Sequence, residues 1–178
     1  MTPPQAVRER LHHHASALGH PQLRVLPAEN LHVTVLFLGA VAREAIEQLA
    51  GRLGQIAARE DPFALAIGHV LPGPPRRPYM LWALVTASEP LLRLSRTMHE
   101  TAKSLAPEQA KPLRGYAHVT LARGRGHLRG LEAETLEPAL PAFEVREVQL
   151  LRSHLSPVGA RYETVAELPL GNRGQPEG

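Results

Sequence analysis

Apolar and polar residues follow two different periods along the chain, and the changes of period divide it into helices and strands. Helical spacing of apolar residues, with charge on the opposite side, predicts helices over 4–18, 41–59 and 89–105. Alternating or continuous short apolar runs predict strands, over 23–26, 31–38, 63–71, 79–85, 116–123, 143–151 and 161–170. A further short helix is predicted over 128–136.

The order of these elements indicates an α+β protein. Helices and strands mix without the steady strand–helix–strand rhythm of a parallel sheet, so two antiparallel sheets flanked by helices fit best. The last two strands are expected to pair as a hairpin. The proline-rich segment 72–78 is predicted to be a rigid loop that cannot form a central strand. At 178 residues the chain suits one domain or two small lobes, and we expect residues 171–178 to fray.

Two stretches look like copies of each other. Each sets His-Val-Thr in an apolar run that ends at glycine, and they are Leu31–Gly39 and Tyr116–Gly124. Since residues i and i+2 of a strand share a face, His32 should lie beside Thr34, and His118 beside Thr120. The intervening valines should point into a core. The spacing, about half the chain, predicts two related lobes with one His/Thr pair each.

Two histidines facing one cleft form an acid–base couple. An unperturbed imidazole titrates near pH 6.5, so near neutrality one ring can be neutral and the other charged. Threonine hydroxyls on the same faces can bond phosphoryl oxygens, so the four side chains suit a small tetrahedral anion. Zinc binding is the competing use, but it needs a third ligand and no nearby residue has an obvious spacing. We therefore expect no metal and no cofactor; the remaining alternative is that both pairs are core residues.

Composition excludes some kinds of site and favours others. The absence of cysteine excludes disulfides and thiolate metal sites. All basic residues except Lys103 and Lys111 are arginine, which binds phosphate with two parallel hydrogen bonds, although a GC-rich genome would produce the same bias. No signal pattern and no apolar run near 18 residues is present. We expect a cytoplasmic protein without a membrane partner, and nothing demands more than a monomer.

With their flanks, the two motifs resemble those of the 2H phosphoesterase superfamily. Within it the chain is similar to the bacterial and archaeal RNA 2′,3′-cyclic phosphodiesterases, also called the 2′-5′ RNA ligase family. The resemblance rests on Asn30–Gly39, Ala117–Arg123 and Gly159–Glu163. It implies a bilobal fold with pseudo-twofold symmetry, one motif per lobe lining a central cleft, and metal-independent opening of a terminal 2′,3′-cyclic phosphate to a 2′-phosphomonoester.

The resemblance also implies residue roles. His32 would donate a proton to the leaving 3′ oxygen and His118 would activate water, while Thr34 and Thr120 would hold the phosphate. The chain departs from the family at its start, where Met1–Pro4 leads straight into a helix instead of a short strand. Either that strand is absent or the recorded start lies downstream of the true one.

RNA around the phosphate requires positive charge. Arg123 reaches the cleft only if its strand ends or bends at Ala122. Among aromatic residues Tyr116 and Tyr162 are best placed for base stacking, and because aromatics make up only 4% we expect weak sequence preference. The basic candidates in loops are Arg76, Arg77, Arg114 and Arg125.

Other functions stay open at this point. The same acid–base pair could cleave 2′-5′ oligonucleotides or small cyclic phosphates, or run in reverse as an ATP-independent ligase. A non-catalytic protein that binds RNA ends would need the threonines and arginines but not both histidines. The expected partners are RNA 3′ ends or small cyclic phosphates.

Overall fold

The three long predicted helices are present. The computed structural model describes residues 1–105, 110–112, 116–128, 130–136, 139–156 and 159–171. Its α-helices are α1 (Gln5–Ala17), α2 (Arg43–Ala57) and α3 (Glu89–Leu105), and a 3₁₀ turn spans Ala28–Asn30. Within the segment 106–115 the structure describes only residues 110–112, and the tail that is predicted to fray is described only at Gly171.

All strand pairs among the described residues are antiparallel, as predicted. The strands are β1 (Leu23–Val25), β2 (Leu36–Phe37), β3 (Phe63–Leu65), β4 (Ile67–Gly73), β5 (Met80–Val85), β6 (Lys111–Pro112), β7 (His118–Gly124), β8 (Glu134–Thr135), β9 (Phe143–Val145), β10 (Glu147–Ser156) and β11 (Gly159–Pro169). Five form one sheet in the order β1-β7-β5-β4-β8, and the others pair as β10-β11, β2-β6 and β3-β9. The α+β class is confirmed, and the twofold relation between lobes stays a prediction.

One main core joins the helices to the sheet. Leu11 of α1, Leu53 of α2 and Leu94 of α3 belong to the same buried cluster as Val33 and Val119. Each such side chain contributes about 1.5–3 kcal/mol when it is buried from water. The middle valines of both His-Val-Thr motifs are therefore anchored in the same core.

The helix predicted over 128–136 is wrong. Leu128 and the described residues from Gly130 to Leu136 contain no helix, and Glu134–Thr135 instead forms β8 at the edge of β4. Gly126 and Gly130 have φ values of +139° and +73°. Those values lie outside the right-handed helical region and are readily adopted by glycine, so they end any helix in this segment.

The prediction of a loop from residue 72 is also wrong at its start. Strand β4 continues through Pro72, which pairs with Leu81, and ends at Gly73. On the other side of β4, β8 pairs only with His69 and Val70 within the described residues. Pro72 therefore lies on an open edge, where a missing backbone N–H is tolerated.

The predicted hairpin is confirmed and is longer than expected. Strands β10 and β11 pair from Glu147 with Pro169 to Ser156 with Gly159. At the chain start, Met1 exchanges two backbone hydrogen bonds with Val33, of 3.1 and 2.8 Å, before α1 begins. Met1 thus lies beside the first motif, and the hairpin lies close to its start, since the Asn30 side chain donates a hydrogen bond of 3.0 Å to the carbonyl oxygen of Ala160.

Candidate active site

The second His-Val-Thr motif begins strand β7 as predicted. Val119 and Leu121 are fully buried, whereas His118 and Thr120 are partly exposed on the other face. The prediction of alternate faces is therefore confirmed for this copy.

The first motif is extended but is not a regular strand, which corrects the prediction. Strand β2 begins only at Leu36, and Val33 forms an isolated bridge with Val119. The burial pattern is nevertheless that of a strand, because Val33 and Val35 are buried at 1% and 5% exposure while Thr34 is exposed. A 3₁₀ turn over Ala28–Asn30 precedes the motif.

The bridge joins the two motifs at their middle residues. Since the pairing is antiparallel, it sets His32 beside Thr120 and Thr34 beside His118. Both valines point into the core, so all four polar side chains lie on the opposite face. The two His/Thr pairs predicted from sequence are therefore brought together in one site.

The two imidazoles are held in the same way. His32 Nδ1 lies 2.8 Å from the carbonyl oxygen of Asn30, and His118 Nδ1 lies 2.7 Å from that of Tyr116, in each case two residues earlier. A carbonyl oxygen can only accept, so Nδ1 carries the proton and donates it. Each neutral ring then has its lone pair on Nε2, the position needed for proton exchange with a substrate.

Burial lowers the pKa of both histidines below the ordinary imidazole value. For His32 the positive charges of the N-terminal amine, Arg123 and His118 lower the pKa further, and the hydrogen bond to Asn30 acts against them. For His118 burial also dominates, opposed by the hydrogen bond to Tyr116. Both rings are therefore mainly neutral at pH 7 before an anion binds.

Each histidine also contacts one aromatic ring. Tyr162 of β11 meets His32 edge to face, with ring centroids 4.8 Å apart and an interplanar angle of 73°. Trp82 of β5 stacks on His118, with centroids 4.0 Å apart and an angle of 18°. Tyr162 was predicted at the site as a substrate contact, and the structure places it against a histidine.

A bulge turns Arg123 toward the same face as the histidine of its strand. In β5, Leu81 pairs with Ala122, but the next residue, Trp82, pairs with Thr120. One residue of β7 between Thr120 and Ala122 therefore has no partner and forms a bulge. Arg123 then pairs with Met80, which shares a face with Trp82. The sequence condition for Arg123, a bend at Ala122, is met by this bulge.

A cavity of about 200 Å³ opens beside the His32 ring. Its walls come from the first motif, the residue after Met1 and the β10–β11 hairpin. The lining side chains besides His32 are Thr2, Glu29, Gln149, Leu151, Tyr162 and Thr164. The cavity therefore adjoins His32, but His118, Thr34 and Thr120 do not line it.

Of the remaining predicted arginines, Arg76 and Arg77 do not line the cavity beside His32. Arg77 lines a different cavity of about 300 Å³ with Tyr79 and His127, and the two cavities share no lining residue. Arg76 is exposed in the turn that follows β4. Arg114 lies outside the described residues.

Sequence reasoning missed two neighbours of the site. Trp82 was recognised only as a strand residue, because alternation along β5 does not reveal which strand lies alongside. Arg24 was not selected, yet it pairs directly with Arg123 across β1 and β7. Its signal would have been an exposed charge within a short apolar run.

Comparisons with known proteins agree with this arrangement. A family described as LigT like Phosphoesterase matches residues 2–82, which include the first motif. A protein of Archaeoglobus fulgidus named RNA 2′,3′-cyclic phosphodiesterase is 28% identical over 79% of this chain and 80% of its own length. One of the same name from Geobacillus stearothermophilus is 31% identical over 84% of this chain and 48% of its own length.

Solved structures show the same fold. The Thermus thermophilus protein TT0787 superposes with a TM-score of 0.82 at 24% identity, over 97% of this chain and 96% of that one. Escherichia coli LigT complexed with 3′-AMP gives a TM-score of 0.79 at 23% identity, over 94% and 92%. The fold is that of the LigT-type phosphoesterases. Over residues 2–82 the chain is similar to the LigT-like phosphoesterase family, and over most of its length it is similar to proteins named RNA 2′,3′-cyclic phosphodiesterase.

No group of three or more histidine, aspartate or glutamate side chains in the described residues is arranged to hold a metal ion. In the same residues, no helix combines the length and the apolar character needed to cross a membrane.

Proposed function

We propose that this protein hydrolyses a 2′,3′-cyclic phosphate at the 3′ end of RNA to a 2′-phosphomonoester. The observation that carries the proposal is the bridge between Val33 and Val119. It sets His32 opposite Thr120 and Thr34 opposite His118 on one face, and both imidazoles donate Nδ1–H to a backbone carbonyl. A tetrahedral phosphorus with one attacking and one leaving oxygen needs a proton acceptor and a proton donor on its two sides.

In the proposed reaction His118 is the base and His32 is the acid. Nε2 of neutral His118 takes a proton from water as the water oxygen bonds to phosphorus. The bond between phosphorus and the 3′ oxygen breaks, and Nε2–H of protonated His32 gives its proton to that oxygen. The products are a 2′-phosphomonoester and a free 3′ hydroxyl, with the proton now on His118 instead of His32.

The negative charge of the substrate would favour the protonated form of His32, which the acid role requires. The pKa of His32 is lowered in the free protein by burial and nearby positive charge. A bound phosphodiester anion acts against both effects, because an opposite charge at close range favours the protonated ring. Thr34 and Thr120 would donate hydrogen bonds to the non-bridging oxygens, and Arg123 would add positive charge.

Relatives support the choice of substrate. Proteins that are 28–32% identical carry the name RNA 2′,3′-cyclic phosphodiesterase in archaea and bacteria alike. The structural neighbour from E. coli was complexed with 3′-AMP, a nucleotide with a terminal phosphate on its ribose. Aligned segments cover most of this chain in both kinds of comparison.

The test is product analysis with an oligoribonucleotide that ends in a 2′,3′-cyclic phosphate, in ¹⁸O-water and excess EDTA. We expect a 2′-phosphate that carries the solvent ¹⁸O on phosphorus. Binding without turnover would favour the non-catalytic RNA-end protein. Faster cleavage of a 2′-5′-linked dinucleotide or of a small cyclic nucleotide would favour those alternatives.

The assignment of acid and base has its own test. If the 3′ bridging oxygen is replaced by sulfur, the leaving thiolate needs little protonation, since a thiol has a pKa near 8.5. His32→Ala should then recover much of its lost rate on the sulfur substrate, while His118→Ala should not. Recovery by His118→Ala instead would exchange the two roles.

A further inference from the structure

Two arginines lie side by side next to the active site. Arg24 of β1 is directly opposite Arg123 of β7, so their side chains leave the sheet on the same face with Cβ atoms about 4.5–5.5 Å apart. Like charges in this position destabilise a sheet. In the described part of the chain neither guanidinium has an ion pair or a side-chain hydrogen bond, so the repulsion is not compensated by the protein.

The pair faces the same side as the catalytic residues. The bulge in β7 puts Arg123 on the face of Thr120 and His118, and Arg24 follows from its pairing. Arg123 is three positions beyond Thr120, roughly 10 Å along a strand at ~3.3 Å per residue. Its charge still lowers the pKa of His32.

Arg24 also faces the hairpin that contacts His32. Its guanidinium nitrogens lie 3.9 and 4.0 Å from where a Cβ on Gly159 would be. The next residue, Ala160, accepts a hydrogen bond of 3.0 Å from the Asn30 side chain, just before the first motif. Positive charge therefore continues from the phosphate site along the sheet to the start of β11.

We propose that Arg24 and Arg123 together bind the phosphodiester on the 5′ side of the terminal cyclic nucleotide, so that the enzyme prefers oligonucleotide ends to cyclic mononucleotides. This inference rests on the proposed function and adds a second phosphate site to it. A phosphate between the two guanidinium groups would accept hydrogen bonds from both and remove their repulsion. A cyclic mononucleotide has no such phosphate and would gain nothing from Arg24.

The experiment compares kcat/KM for a cyclic mononucleotide and for a tetranucleotide with the same terminal nucleotide. Arg24→Gln should lower the tetranucleotide value about tenfold, the size of a hydrogen bond to a charged group, and change the mononucleotide value less than twofold. Arg24→Lys should fall between, because lysine keeps the charge but loses the fork. Arg52→Gln, an exposed arginine on α2, is the control for net charge.

Equal losses on both substrates, or none on either, would overturn the inference. A binding measurement tests the arginine pair independently of turnover. The Kd is measured for a tetranucleotide and for a mononucleotide, each of which carries a 2′-phosphate. We expect the wild type to bind the tetranucleotide more tightly, with a salt dependence that Arg24→Gln reduces. If the wild type turns over neither cyclic substrate, the proposed function fails, whereas equal Kd values would refute the arginine pair alone.

Discussion

Gly73→Ala should lower activity by displacing Trp82, although Gly73 is not itself a proposed catalytic or substrate-binding residue. A Cβ on Gly73 would lie 2.2 Å from Cε3, 2.3 Å from Cδ2 and 2.6 Å from Cζ3 of Trp82. An ordinary contact needs at least 3.4 Å, so the indole must retreat by about 1.2 Å. His118 is stacked on that indole at 4.0 Å and must move or lose its support.

The expected losses follow from this displacement. A shift of about 1 Å in a catalytic group can cost roughly 10²-fold in rate, so kcat/KM on the cyclic-phosphate oligonucleotide should fall by about that factor. The extra methyl group overpacks the sheet by about 1–3 kcal/mol, which lowers Tm by a few degrees. Gly68→Ala on the same strand is the matched control, because nothing lies within 4 Å of its Cβ position.

Fluorescence reports on the same contact. Trp82 is the only tryptophan of the chain, and a protonated imidazole quenches indole emission more strongly than a neutral one. A pH titration of wild-type emission should therefore show a midpoint below 6.5, and Gly73→Ala should weaken or shift it. A folded Gly73→Ala protein with unchanged kcat/KM and an unchanged titration would refute the positioning of His118 by Trp82.

Three further predictions concern pH and stability. Because the pKa of His32 and of His118 is lowered, the form with one ring protonated and one neutral is most populated on the acidic side of pH 6.5. The value of kcat/KM should therefore peak there. A pH optimum of kcat/KM above about pH 7.5 would contradict this prediction. In the same window the unfolded chain binds more protons than the folded one, so the free energy of unfolding should fall as pH drops through about 6.5 and level off below the folded pKa values. Urea denaturation at several pH values should show a smaller fall for His118→Asn. Ser95→Ala removes the buried 2.8 Å hydrogen bond to the Val35 carbonyl and should cost about 1–3 kcal/mol of unfolding free energy, whereas the exposed Ser104→Ala on the same helix should cost little.

The motifs themselves could be predicted from the sequence because their signals are local. Alternation of apolar and polar residues put His118 and Thr120 on one face and the valines in the core, and the structure agrees. Helical spacing located the long helices for the same reason. The helix over 128–136 fails because Gly126 and Gly130 adopt positive φ values, which helical spacing of apolar residues does not reveal.

The contacts that make the site could not be predicted because they join distant segments. Nothing near Val33 specifies Val119 as its partner, and nothing near Trp82 specifies a stack on His118. The bulge in β7 depends on how β5 pairs with it, so the sequence alone does not fix the direction of Arg123. Pro72 in a strand is likewise explained only by the open edge of β4.

The central claim is that His32 and His118 act as one acid–base couple. The most direct test is the single-turnover rate of opening of the cyclic-phosphate end in excess EDTA. It is measured for the wild type, His32→Ala, His118→Ala and the double variant. His13→Ala, at an exposed histidine of α1, is the control. We expect each single variant to lose at least ~10²-fold, the double variant to lose little more, because the two residues act as a unit, and the control to match the wild type. Turnover that survives either single substitution in a folded protein would contradict the claim.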